Sequence, residues 1–169
     1  MNAVVDEHMR LEHMPYTLAD FDSLADGWYK VVFAGEAAEV NMLSALVDKS
    51  IPLDERFRRC TFVRSSDSCF EMVPPNVNKG SGLRKLAEIL KTPMSDTVAI
   101  GDYYNDIAML DAAGYSAAVA DAPAEVRAFA DVSVKACLMG GVAELLESLD
   151  SLCAGYEQMK FELDAEAEE

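Results

Sequence analysis

The chain has 169 residues, 51% of them apolar, enough to bury the core of one ordinary domain. Thirty acidic residues against fourteen basic ones give a formal charge of -16, which argues against nucleic acid or an anionic membrane as partner because both repel such a surface. No stretch is long and apolar enough to span a bilayer, and the first residues lack a basic run leading into an apolar one, so cytoplasm is the expected location.

Thr17 followed by Asp20 reads as an N-cap with an acidic residue three on, which predicts a short helix from Leu18 to Ala25 ending near Gly27. A strand is expected at Trp28 to Ala34 and a helix at Ala37 to Lys49. Two further strands, Arg56 to Arg64 and Cys69 to Val73, form a hairpin around Ser65-Ser66-Asp67-Ser68. Such a hairpin would let Cys60 and Cys69 face each other. The four cysteines form no C-x-x-C pair and read as buried small hydrophobes rather than a zinc site or disulfide framework. His8 and His13 have no partner at metal-ligand spacing and read as structural or surface residues.

From Lys79 onward strands and helices alternate. Leu83, Leu86, Ala87 and Leu90 fall at i, i+3, i+4 and i+7, so a helix is predicted from Ser81 to Leu90. Further helices at Tyr104 to Ala112, Ala124 to Phe129 and Val142 to Leu149 are separated by short apolar strands, the signature of a parallel, doubly wound sheet. The apolar face of the last helix continues through Leu152, Cys153 and Tyr156, which carries it toward Met159. Glu162 to Glu169 is a solvated acidic end.

The chemistry concentrates in Gly101-Asp102-Tyr103-Tyr104-Asn105-Asp106, which follows the apolar strand Thr97 to Ile100. Asp102 falls at the carboxyl end of that strand, where open α/β sheets place their ligands, and Asp106 enters the first turn of a helix. Two carboxylates at this spacing converge on one hard cation, and magnesium suits them; Asn105 adds a neutral oxygen. Alone, such a pattern is more often a helix cap. Lys79 tips the balance, because a cation at the amino end of a helix opposes its dipole and suits a bound anion better than it suits the helix.

Together these residues resemble the haloacid dehalogenase superfamily of phosphatases, and within it the Cof-type sugar-phosphatase branch. Glu71-Met72-Val73-Pro74-Pro75-Asn76-Val77-Asn78-Lys79-Gly80 is similar to the strand and turn that deliver the motif III lysine. Gly101 to Leu110 is similar to motif IV. Ala112 to Val119, Asp121 to Arg127, Ala130-Asp131 and Gly140-Gly141-Val142 continue the likeness, which spans roughly residues 28 to 149. Trp28 to Gly35 resembles the cap strand bearing an internal lysine, here Lys30.

The resemblance implies an α/β fold: a partial Rossmannoid parallel sheet preceded by half of an α+β cap. The expected division is a partial cap at residues 1–75, the carboxyl-terminal part of the core at 76–160 and an acidic tail at 161–169. It implies a Mg2+-dependent hydrolase of small phosphorylated metabolites such as sugar phosphates, with Lys79 catalytic and phosphate-binding, Asn105 phosphate-binding, and Asp102 and Asp106 at the metal.

The family's nucleophile is the first aspartate of a D-x-D motif on a buried strand, with a Ser or Thr at motif II. Asp20-Phe21-Asp22-Ser23 has the spacing, but Pro15 to Ala19 before it lacks the β-branched run of a central strand, so it is expected to be a decoy and the chain a truncated portion. The strand before Asp102 would then have an open edge, filled by self-association or by a complementing amino-terminal polypeptide. The alternatives are a complete capless phosphatase with Asp20 as nucleophile and Asp22 as acid and base, or a non-catalytic phosphate-binding remnant.

Overall fold

The computed structural model describes residues 17–23 and 27–151, together with Asp6 and Arg10. Two three-stranded sheets organise them. The first is antiparallel, in the order β1 (Val31–Ala34), β3 (Cys69–Val73), β2 (Thr61–Ser66). The second is parallel, in the order β4 (Val98–Gly101), β5 (Tyr115–Val119), β6 (Val132–Val134). The α/β expectation and the parallel sheet therefore hold.

In the antiparallel sheet the register sets Val31 opposite Met72, Phe33 opposite Phe70 and Phe62 opposite Met72, so these side chains share one face. Helix α1 (Ala37–Ser50) covers that face by burying Val40 and Val47 against Phe70, with Phe57 and Phe62 packed beside them. Phe62 and Phe70 stack with centroids 5.8 Å apart. The alternate residues, Thr61 and Val63 on β2 and Glu71 and Val73 on β3, share the opposite face.

The parallel sheet carries the larger core. Ala99, Ala117, Val119, Val126, Val134 and Leu145 pack with Leu110, whose burial is nearly complete. Small alanines at the strand centres let α3 (Lys79–Leu90), α4 (Ile107–Leu110), α5 (Ala124–Arg127) and a final helix α6 over residues 141–151 approach closely. Asp131 accepts both the Ser116 amide at 2.8 Å and its hydroxyl at 2.9 Å, which ties β5 to the entrance of β6.

Several expectations are corrected. Within the segment predicted as a helix from Leu18 to Ala25, the described residues form only a 3-10 turn at Phe21–Ser23, and the Asp20 carbonyl accepts both the amide and hydroxyl of Ser23. Leu18 is 75% exposed, so no packing rewards a longer helix there. The predicted strand at Arg56 to Arg64 opens instead with a helical turn, α2 (Glu55–Arg58), because Asp54 caps it by accepting the Arg56 amide at 2.9 Å. Cys60 and Cys69 do not face each other: Cys69 lies opposite Ser66, whereas Cys60 precedes the far end of β2. Cys153, the helix extension past residue 151 and the acidic tail lie outside the described residues. No helix among the described residues is long and apolar enough to cross a membrane.

Candidate active site

Lys79, Asp102 and Asp106 meet where β4 ends and α3 begins. Asn78 caps α3: its side chain accepts the Ser81 amide at 2.8 Å, while its own amide donates to the Ser81 hydroxyl at 3.1 Å. This starts the helix at Lys79, two residues earlier than periodicity predicts. Gly80 allows the helix end to come in close, since a Cβ there would lie 2.1 Å from the Ala108 carbonyl oxygen. Gly101 does the same for the strand end, where a Cβ would lie 2.5 Å from the Asp106 Cβ. Both glycines are the sequence signature of this junction, and the reading of charged residues alone passed over them.

Asp106 is the centre of the arrangement. It is 2% exposed and forms an ion pair with the Lys79 Nζ through Oδ1. Its Oδ2 accepts the Asp102 amide at 3.0 Å and the Tyr103 amide at 3.4 Å. These bonds turn the chain tightly, so the predicted helix from Tyr104 to Ala112 begins as a 3-10 turn (Tyr104–Asp106) before α4. Burial pushes the Asp106 carboxyl up, but the hydrogen bond from Lys79, the Asp102 amide and the ammonium charge outweigh it and hold it below the usual range. Asp102 moves the other way: burial first, then the neighbouring Asp106 carboxylate, push its carboxyl up against a smaller opposing pull from Lys79.

A cavity of about 520 Å3 opens beside this junction. Lys79, Tyr104 and Asn105 line one side, and Thr61, Val63 and Glu71 of the antiparallel sheet line the other. One side-chain contact ties the hairpin to the loop after β4, and another lies on the cavity wall. Tyr103 donates to Asp67 at the hairpin tip at 2.6 Å, and Lys30 pairs with Glu71 at 3.2 Å. Burial, and then the hydrogen bond to Asp67, push the Tyr103 phenol up to about 12.

The structure thus brings Lys79, Asp102 and Asp106 together and sets Asn105 on the same cavity as Lys79. Asp20 and Asp22 are both exposed and lie at a 3-10 turn rather than at the end of a strand. Among the described residues β4 pairs with β5 alone, leaving its other edge without a strand. No group of three or more His, Cys, Asp or Glu side chains is poised for a metal among those residues. A hard cation nevertheless suits the donor set, because burial and the neighbouring Asp106 carboxylate push the Asp102 carboxyl up, and a divalent ion would offset that repulsion. Glu71 escaped the sequence reading as a site residue; alternation along β3 could have placed it on the cavity face.

A family model described as haloacid dehalogenase-like hydrolase matches residues 2–146. A phosphoglycolate phosphatase of Methanosarcina acetivorans is 47% identical over 75 residues, covering 44% of this chain and 33% of that protein. The phosphatase YwpJ of Bacillus subtilis is 35% identical over 89 residues, 53% of this chain and 31% of that protein. The chain thus spans about a third of the length of these curated relatives. Among solved structures, a haloacid dehalogenase-like hydrolase from Bacteroides thetaiotaomicron superposes with a TM-score of 0.68 at 25% identity, covering 88% of this chain and 55% of that one. A HAD/COF-like hydrolase of Plasmodium vivax, at 23% identity and a TM-score of 0.64 over 73% of this chain and 42% of that one, shares the fold.

Proposed function

The chain belongs to the haloacid dehalogenase-like hydrolase family, and on that premise we propose that it supplies the lysine and acidic half of a magnesium-dependent phosphomonoester hydrolase acting on small phosphorylated metabolites such as sugar phosphates. The observation that carries this is the Lys79–Asp106 pair, set between Asp102 at a strand tip and a cavity large enough for a small metabolite. The several relatives named phosphatases support it.

In this reading Asp102 is the metal ligand and Asp106 supports the centre while holding Lys79 in place. Lys79 projects its ammonium toward the transferring phosphoryl group and stabilises the charge that develops there. Asn105 offers an amide to a phosphate oxygen. Magnesium, when bound, supplies the positive charge that offsets the phosphoryl oxygens and orients them. Residues 1–75 serve as the cap portion and 76–160 as the core portion, and the protein acts in the cytoplasm.

In this reading Asp20 is not the nucleophile; its position just before the 3-10 turn Phe21–Ser23, rather than at a strand end, supports that. A complementing polypeptide supplies the nucleophile instead, on a strand that pairs with the open edge of β4. Calorimetric titration with magnesium tests the centre: Asp102→Ala should weaken binding by about tenfold or more, the loss of one charged ligand. Phosphatase assays against a panel of sugar phosphates, with and without a polypeptide carrying the D-x-D strand, test turnover. Equal magnesium affinity in the Asp102→Ala variant and the parent would remove the metal assignment.

A further inference from the structure

The antiparallel sheet buries one face under α1 and turns the other toward the cavity. On that second face Thr61, Val63 and Val73 surround Glu71, which lies on the central strand opposite Val32 on one side and Val63 on the other. A carboxylate in the middle of a mostly apolar sheet face costs desolvation, and its side chain is only 16% exposed. Lys30, just before β1 and 52% exposed, reaches both carboxylate oxygens at 3.2 Å. Stability alone is a poor reason for such a pair, since apolar residues in its place would pack about as well. Lys30, Glu71 and Lys79 line the same cavity, so the pair faces the space next to a phosphate held at Lys79.

We propose that Lys30 and Glu71 determine which leaving group the cavity accepts: an uncharged, hydroxylated alcohol rather than one bearing a second acid. This rests on the reading of Lys79 as the phosphate site. An ion pair presents a donor and an acceptor side by side with no net charge, which matches adjacent hydroxyls and leaves no spare cation for a carboxylate. Glu71 adds repulsion against a second acid, so selectivity comes from an unfavourable contact as well as a favourable one. Acceptance of phosphoglycolate, the compound that names some relatives, would need an unpaired cation here.

Titration calorimetry on the full chain in magnesium, with inorganic phosphate, glucose 6-phosphate and phosphoglycolate as probes, tests it. The parent should bind glucose 6-phosphate more tightly than phosphoglycolate. Glu71→Gln frees the Lys30 charge at unchanged shape, so it should weaken glucose 6-phosphate and strengthen phosphoglycolate, each by about tenfold, while inorganic phosphate is unaffected. Lys30→Met should weaken both organic phosphates and phosphoglycolate more. A purely structural role would move all three probes together. If inorganic phosphate binds and is lost in Lys79→Met, yet Glu71→Gln leaves the ratio of the two organic probes unchanged, this inference alone is overturned. If inorganic phosphate fails to bind the parent, the phosphate-site reading falls and takes this one with it.

Discussion

The two sheets have three strands each and use them differently. The middle strand of the parallel sheet, β5, is buried at four of its five positions, with packing on both faces. In the antiparallel sheet β2 is only half-buried along its whole length, because one face meets α1 and the other borders the cavity. The parallel sheet uses both faces for core. The antiparallel sheet gives up half of that burial to form one wall of a site. A wall can keep Glu71 where a core could not, since the carboxylate retains a partner and some water.

The sharpest way to break this comparison is to hollow each core in turn. Phe70→Ala and Leu110→Ala should each cost about 3–5 kcal/mol in chemical denaturation, the usual range for a large buried side chain. Hydrogen exchange should then separate them. Phe70→Ala is expected to speed exchange over residues 31–73 while 98–134 stay protected, whereas Leu110→Ala should loosen the whole chain. Uniform loss in both variants would show one cooperative unit instead of a core and a wall.

The junction comes next in size. Gly80→Ala places a Cβ against the Ala108 carbonyl and should cost about 2–3 kcal/mol, read as a lower thermal midpoint, because backbone has to move. Asp106→Asn keeps the shape but removes the partner of Lys79. With Lys79 half-exposed, a loss of about 1–2 kcal/mol is expected at neutral pH. The Asp106 carboxyl is held below its ordinary value of 3.8, so its contribution is present above that pH and is lost as pH falls through the lower folded value. The stability difference between parent and Asp106→Asn should therefore shrink below about pH 4.

The smallest effect probes the contact between the two regions. Tyr103→Phe removes one hydrogen bond to Asp67 and should cost about 0.5–1 kcal/mol. Because the phenol is raised from 10.0 to about 12, its contribution is present below pH 10 and disappears as pH rises through about 12. Absorbance titration of tyrosinate should lose its most alkaline component in the variant; an unchanged curve would mean that the wall is not fastened to the site loop by this bond. Asp20→Asn should change nothing in stability or magnesium binding, since the side chain is exposed at a turn.

Sequence reading served the parallel half well. Helix α3 followed from its apolar periodicity, β4 from Val98-Ala99-Ile100, and the places of Lys79 and Asp102 at element ends from the order of the residues. In such a sheet each element is short, local and bounded by a turn, so pattern and fold coincide. The antiparallel half was less legible. Asp54 capped a helical turn inside what looked like a strand, because a local hydrogen bond outweighed the weak β preference of Arg56 and Arg58.

By itself the chain's order of residues determined the α/β alternation, the strand that ends at Asp102 and the helix that opens near Lys79, because periodicity and capping act over a few residues. Tertiary structure alone decided that Asp106 would hold Lys79 rather than stand clear of it, that Gly80 and Gly101 would let backbones close to contact, and that Glu71 would pair with Lys30 on the cavity wall. Those pairings join residues 27 and 41 positions apart. No local rule links positions so distant; the pairing of β1 with β3 and the approach of α3 to the end of β4 bring them within reach.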